Sequence, residues 1–420
     1  MSYGLSPVWG TVNLGGDPIE YPALYAVRQD NTPLGGVTTG YLYRVGNEYH
    51  YSAATASSLS KLFDWEASLA SQGKDPSWYL PTIAPDGTVI FIWRGNFVHE
   101  RSGEAGDSQP RENPIVYPAG DYENPVEVDV EGDKPTAPLN NVGLDWHPSG
   151  YLVFAEYNRP VHAKGYIWKV TAPYTSPASW SRVHEEIVDD QDTTTGVIKH
   201  FHTANYDPFS DAWLASSGDV GQQTKVYLSV DGAETWTVEG QGDGEGGERP
   251  FRLLNFVSAQ DYVWWATDNT VMNGLYRIAR TNGVPDFGTM EMHRRLLDGQ
   301  APYCGSLVSD PAGILILSRV EVYPTHRTSL AVQFYDFTQE RVITVCEIEP
   351  IATQGSAYGF RCEATPLYPN PDEERMVVGF DYYQNNLAVL DNTVENRIKT
   401  LTLEVARRPH QVQPMSGGMA

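Results

Sequence analysis

The chain has 420 residues, of which 41% are apolar, 12% aromatic and 20% charged, a length for one large domain or two ordinary ones and the composition of a folded chain, which excludes disorder. Asp and Glu number 53 against 29 Lys and Arg, a formal net charge of −24; that field repels polyphosphate and anionic lipid, so nucleic acid is not an expected partner. No run of apolar residues reaches the length of a spanning helix, so membrane insertion is not expected either.

From the N-terminus, MSYGLSPVWGTVNLGG has neither the basic start nor the apolar stretch of a secretory signal. The expected location is the cytoplasm, or release in a virion or by lysis. Val8, Val12 and Leu14 alternate with polar residues, and so do Leu401, Leu403 and Val405 at the other end. Two such terminal strands predict one shared sheet that closes the fold. The stretch Ser57 to Leu69 carries Leu59, Leu62, Phe63 and Leu69 near helical spacing behind a serine, which predicts one short helix.

One pattern recurs along the whole chain: a turn of Pro, Asp, Gly or Asn, then four to six apolar or aromatic residues, then a polar one. It is centred near Asn47, Asp86, Ser149, Ser210, Asp261, Ala312 and Asp372, at intervals of 39 to 63 residues. Turn chemistry followed by a short β-branched and aromatic run is a hairpin signal. Seven of them predict an all-β chain, a seven-bladed β-propeller of four-stranded antiparallel blades with six blades as the alternative. The propeller is expected over residues 1–406, with a long loop insertion at 101–141 and a C-terminal tail at 407–420. Trp93, Trp168, Trp264 and Trp265 are expected to pack blade against blade.

Between these anchors lies SVDGAETW, Ser229 to Trp236. It resembles the Asp-box, or BNR repeat, of the sialidase-like β-propeller superfamily in Ser229, Asp231, Thr235 and Trp236, with Ala233 where glycine is usual. A poorer copy runs from Thr171 to Trp180. The resemblance implies a propeller and a structural role for Asp231. It does not imply sialidase activity, because no Arg-Ile-Pro stretch is present and the early arginines Arg28 and Arg44 stand in unrelated contexts.

Further along, Gln241 to Pro250 places Asp243, Glu245 and Glu248 among glycines; it reads as a flexible turn, with calcium binding as the alternative. Cys304, Cys346 and Cys362 lack the spacing of a zinc or redox motif and read as buried thiols.

Blade strands alternate in direction, so if the recurring turn joins the first and second strands of a blade at the lower face, every second strand ends at the upper one. That brings up Arg94, Glu156 and Tyr157, Asp219, Asp268, Arg319 and Glu321, and Asp381 and Tyr382. Innermost strands begin at the same face, which adds His200 and His202 from KHFHTANYD. Period two sets the two imidazoles on one side of the strand and Phe201 on the other. His200, His202, Glu156, Tyr157 and Asp219 are therefore the candidate catalytic residues. Arg94, Arg159, His162, Asp268, Arg319, Glu321, Asp381 and Tyr382 are the candidates for binding substrate. A divalent metal at the His200/His202 face is considered, though no cofactor is required.

Paired carboxylates suit glycoside hydrolysis. A base, an acid and a cation suit β-elimination from a uronate. The expected function is therefore a glycoside hydrolase or polysaccharide lyase acting on a polysaccharide or cell-surface glycan. The alternative is a non-catalytic carbohydrate-recognition protein or a phage tail component in a larger assembly.

Overall fold

The computed structural model describes residues 6–10, 23–30, 37–45, 48–53, 60–74, 79–93, 110–138, 143–157, 163–189, 192, 194–243, 250–259, 261–267, 274–295, 303–310, 313–319, 330–348, 359–367, 375–385 and 399–404. They form a seven-bladed β-propeller of antiparallel sheets. The N-terminal strand β1 (Ser6–Gly10) belongs to the last blade. Blade 1 holds β2 (Ala23–Asp30), β3 (Val37–Val45), β4 (Glu48–Ala53) and β5 (Ser60–Asp64), followed by the helix α1 (Trp65–Ser71). Blade 2 holds β6 (Tyr79–Ile83), β7 (Val89–Trp93), β8 (Ile115–Tyr117) and β9 (Val126–Glu127). Blade 3 holds β10 (Leu144–Trp146), β11 (Leu152–Ala155), β12 (Lys164–Val170) and β13 (Trp180–Ile187).

Blade 4 holds β14 (Phe201–Asp207), β15 (Ala212–Ser217), β16 (Lys225–Ser229) and β17 (Thr237–Gln241). Blade 5 has five strands: β18 (Leu253–Ser258), β19 (Tyr262–Thr267), β20 (Gly274–Thr281), the short β21 (Val284–Pro285) and β22 (Glu291–Arg295), the last two both paired with β20. Blade 6 holds β23 (Tyr303–Asp310), β24 (Gly313–Arg319), β25 (Leu330–Asp336) and β26 (Arg341–Ile348). Blade 7 holds β27 (Gly359–Leu367), β28 (Arg375–Asn385) and β29 (Lys399–Glu404), completed by β1, which sets Pro7 opposite Leu403 and Trp9 opposite Leu401. The shared terminal blade is thus formed, although Val12, Leu14 and Val405 lie outside the described residues.

In blades 2 to 5 the second strand, β7, β11, β15 or β19, is buried along nearly its whole length because neighbouring blades cover both of its faces. In β7, Val89, Phe91 and Trp93 join a cluster with Phe63 and Leu69, while the alternate residues Ile90 and Ile92 join one with Leu152, Phe154 and Trp168 of blade 3. In β19, Trp265 faces blade 4 and its neighbour Trp264 faces blade 6. Trp93, Trp168, Trp264 and Trp265 are all buried.

Three local expectations are corrected. Six of the seven recurring turns join the first and second strands of a blade, but the Asn47 turn joins β3 to β4, the second and third strands of blade 1. The turn residues of any tight hairpin are alike, so composition does not say which pair of strands it connects.

The stretch Ser57 to Leu69 is half strand: residues 60–64 pair with β4, and the helix starts only after Asp64, whose carboxylate accepts the Ala67 N–H at 3.1 Å. Phe63 is buried by its pairing in the sheet and Leu69 by the helix, and together the two elements imitate one helical stripe.

Residues 110–138, the described part of the stretch expected as an insertion, supply β8 and β9, the outer half of blade 2. Strands of three and two residues are too short to display a period, which is why the stretch reads as loop.

The turn between β16 and β17 accounts for its own sequence. Asp231 Oδ1 accepts from Ser229 Oγ at 2.8 Å and from the Glu234 and Thr235 N–H groups at 3.0 Å, and Oδ2 accepts from Thr235 Oγ1 at 2.6 Å. Gly232 and Ala233 both have left-handed φ, 74° and 67°. The Thr171 to Trp180 segment occupies the same place in blade 3, between β12 and β13. Among the described residues no helix is long and apolar enough to cross a membrane.

Candidate functional site

The residues brought together are His200, His202, Asp219 and Tyr157, where β14 begins and β15 ends. The hairpin register places Phe201 opposite Ser217. Extended by two residues it carries Lys199 opposite Asp219, and Lys199 Nζ lies 2.7 Å from Asp219 Oδ2. The Gly218 N–H donates to the His200 carbonyl at 2.8 Å. Gly218 has φ 76°, and a Cβ there would lie 2.0 Å from the Gln223 carbonyl oxygen, so only glycine turns the chain here.

The register shifts between Phe201 and Thr203, making His202 the extra residue of a β-bulge. Bulges re-aim side chains. His200 Nε2 and His202 Nε2 are 3.1 Å apart, and Asp219 Oδ1 is 3.4 Å from the first and 3.2 Å from the second. Phe201 points instead into the core between blades 3 and 4.

Both imidazoles are buried and Asp219 is partly exposed. His202 Nδ1 donates to the Leu253 carbonyl at 2.7 Å, so Nε2 is the ring nitrogen that faces the cluster. Burial pushes the His200 pKa down to about 4, against the pull of Asp219. Burial also pushes the Asp219 carboxyl up, but the imidazoles beside it, His200 first, more than offset this and hold it well below the usual carboxylate range.

The Tyr157 ring lies 4.0 Å from the His200 ring, centre to centre. Arg252 donates to the Asp219 backbone carbonyl at 3.0 Å. Sequence reasoning passed over Lys199 and Arg252. The signal for Lys199 was its place opposite Asp219, which needs the hairpin register; Arg252 comes from the next blade.

Glu156 does not join the cluster. Its carboxylate is buried and accepts from Thr136 N–H at 2.9 Å, Trp168 Nε1–H at 2.8 Å, Arg111 at 3.3 Å and Tyr166 N–H at 3.1 Å. Burial raises its carboxyl above the ordinary range despite Arg111 and these donors. Its backbone carbonyl accepts the Phe201 N–H at 3.1 Å, so the residue anchors the start of β14. Adjacent residues Glu156 and Tyr157 thus serve different surroundings.

Of the expected binding residues, Arg94, Arg159, His162, Asp268 and Glu321 lie outside the described residues. Arg319 is the last residue of β24, and Asp381 and Tyr382 pair with Glu363 and Cys362 inside β28. The glycine-rich turn after Asp243 is also outside the described residues.

No family model and no curated protein matches the chain. Among solved structures, it is similar to a prolyl endopeptidase at 13% identity and a TM-score of 0.50, covering 92% of this chain and 48% of that one. The chain therefore spans about half the length of that protein. Weaker similarities, which carry no argument, are to YCF48 bound to D1 peptide (9% identity, 92% and 94% covered, TM-score 0.44) and to a putative TolB from Agrobacterium tumefaciens (14%, 64% and 80%, 0.35). At these identities the likeness concerns fold alone, and fold does not assign function.

Proposed function

We propose that the protein acts on glycans at the upper face of the propeller, as a polysaccharide lyase or glycoside hydrolase, with His200, His202, Asp219 and Tyr157 as its chemical centre. The supporting observation is the meeting of two imidazole nitrogens and a carboxylate oxygen within 3.4 Å of one another. Buried ionisable groups with perturbed protonation collect at functional sites. The three atoms form a focus for a positive species, a proton in transit or a cation. Tyr157 offers a hydroxyl for proton transfer and a flat ring for a sugar, and Lys199 and Arg252 offer positive charge to an anionic one.

Elimination is the favoured chemistry. Hydrolysis needs two working carboxylates across the scissile bond, and Glu156 is engaged on all sides by structural donors. The resemblance of Ser229 to Trp236 to the Asp-box, with Asp231 engaged as that turn requires, supports placing the chain near the sialidase-like superfamily.

The test is to incubate the purified protein with a panel of acidic and neutral polysaccharides while following reducing ends and the absorbance of unsaturated uronates. Unsaturation lost in Tyr157→Phe is the expected result. New reducing ends without unsaturation assign hydrolysis instead. Binding with no turnover across the panel overturns the enzymatic reading in favour of carbohydrate recognition.

A further inference from the structure

We propose that His200 Nε2, His202 Nε2 and Asp219 Oδ1 are the three protein ligands of one divalent first-row transition cation, leaving coordination positions open to substrate oxygens. The ion site stands on its own geometry; the substrate part rests on the glycan reading above.

Three observations carry it. The first is the triangle itself. Nitrogen and oxygen ligands bind such ions at about 2.0–2.2 Å, and a cation at that distance from three atoms on one side sees them about 3–3.5 Å apart. The edges here are 3.1, 3.2 and 3.4 Å.

The second is the direction of the groups. The Leu253 carbonyl takes up His202 Nδ1, so Nε2 is the nitrogen turned to His200 Nε2 and Asp219 Oδ1, and each of the three facing atoms is of a type that ligates a cation.

The third is the surroundings of the ligands. A metal-binding histidine characteristically donates its other ring nitrogen to a carbonyl or carboxylate, and ligating carboxylates are themselves held. His202 Nδ1 is bound to Leu253 O at 2.7 Å and Asp219 Oδ2 to Lys199 Nζ at 2.7 Å. The main chain is fixed as well, by Gly218 N–H on the His200 carbonyl.

The donor set selects the ion. Two imidazoles and one carboxylate with open positions suit Zn²⁺, Fe²⁺, Co²⁺ or Mn²⁺, whereas Ca²⁺ and Mg²⁺ prefer oxygen ligands throughout. Among the described residues this is the one such cluster of three. With a cation in place the imidazoles are ligands, proton transfer passes to Tyr157, and the ion takes over charge neutralisation at an anionic sugar.

The experiment strips the full-length protein with a chelator and titrates it with Co²⁺, followed by its visible absorption, and with Zn²⁺, followed by calorimetry. One equivalent is expected to bind, with Ca²⁺ failing to compete. Asp219→Asn, which keeps the shape of the side chain, and His202→Ala are expected to weaken binding by at least about 100-fold, with folding checked by circular dichroism and the unfolding midpoint. Folded protein that takes up no Co²⁺ or Zn²⁺, or uptake unchanged in folded Asp219→Asn, overturns the site. An ion bound without any polysaccharide turned over upholds the site and removes the enzymatic reading. Turnover by ion-free protein that takes up no ion does the reverse.

Discussion

Glu156 and His202 illustrate two fates of a polar side chain in a propeller. Glu156 is shut between blades 2 and 3 in a pocket that only donates: two backbone N–H groups, the Trp168 indole and Arg111. A glutamine there turns an NH₂ toward donors and removes the charge that Arg111 faces. We expect Glu156→Gln to cost about 3 kcal/mol, read as a lower urea midpoint at unchanged slope. His202, by contrast, is satisfied on one nitrogen only by protein carbonyl and turns the other to the cluster. Residue type made both candidates for chemistry; the identity of their neighbours separates them, and those neighbours come from segments distant in sequence.

Among the elements, the β16–β17 hairpin was the most legible, because its turn is held by its own side chains. Asp231 accepts four hydrogen bonds within the seven residues Ser229 to Thr235, and the Thr235 hydroxyl first, then the turn amides, lower its carboxyl to about 2 from an ordinary 3.8. A folded-state value below the unfolded one means that the stabilisation is fully present above about pH 4 and is lost as the pH falls toward 2. Asp231→Ala is therefore expected to unfold at a lower temperature than the parent at pH 6, with the gap closing between pH 4 and pH 2, as followed by circular dichroism. The β14–β15 hairpin was half legible. Alternation put His200 and His202 on one surface, but the bulge at His202 and the left-handed Gly218 set the distances, and neither follows from composition. Strands β8 and β9 were not legible at all, since pairing with β7 is what makes so few residues a strand.

At the scale of the whole molecule, the fold closes by pairing its two ends. β1 covers the edge of β29 over five residues, and without it that edge is open to other chains. Removal of residues 1–10 is expected to lower the thermal midpoint and to promote self-association, measured by differential scanning calorimetry and size-exclusion chromatography. An unchanged midpoint with monomeric elution would mean that β1 does not close the ring.

The sequence by itself determined the class of the fold and the short apolar strands that follow its turns, because turn chemistry and burial leave local marks every few residues; it left the blade count at seven or six, which the structure decided as seven. It also brought His200, His202 and Asp219 to one face, since strand direction alternates in any propeller. Only the tertiary structure decided that Glu156 is a structural carboxylate, that Lys199 and Arg252 attend Asp219, and that three ligand atoms stand within 3.4 Å of one another. Those facts depend on register, on a bulge and on contacts between blades. Such features are set by the packing of residues 20 to 50 positions apart, and no window of sequence contains them.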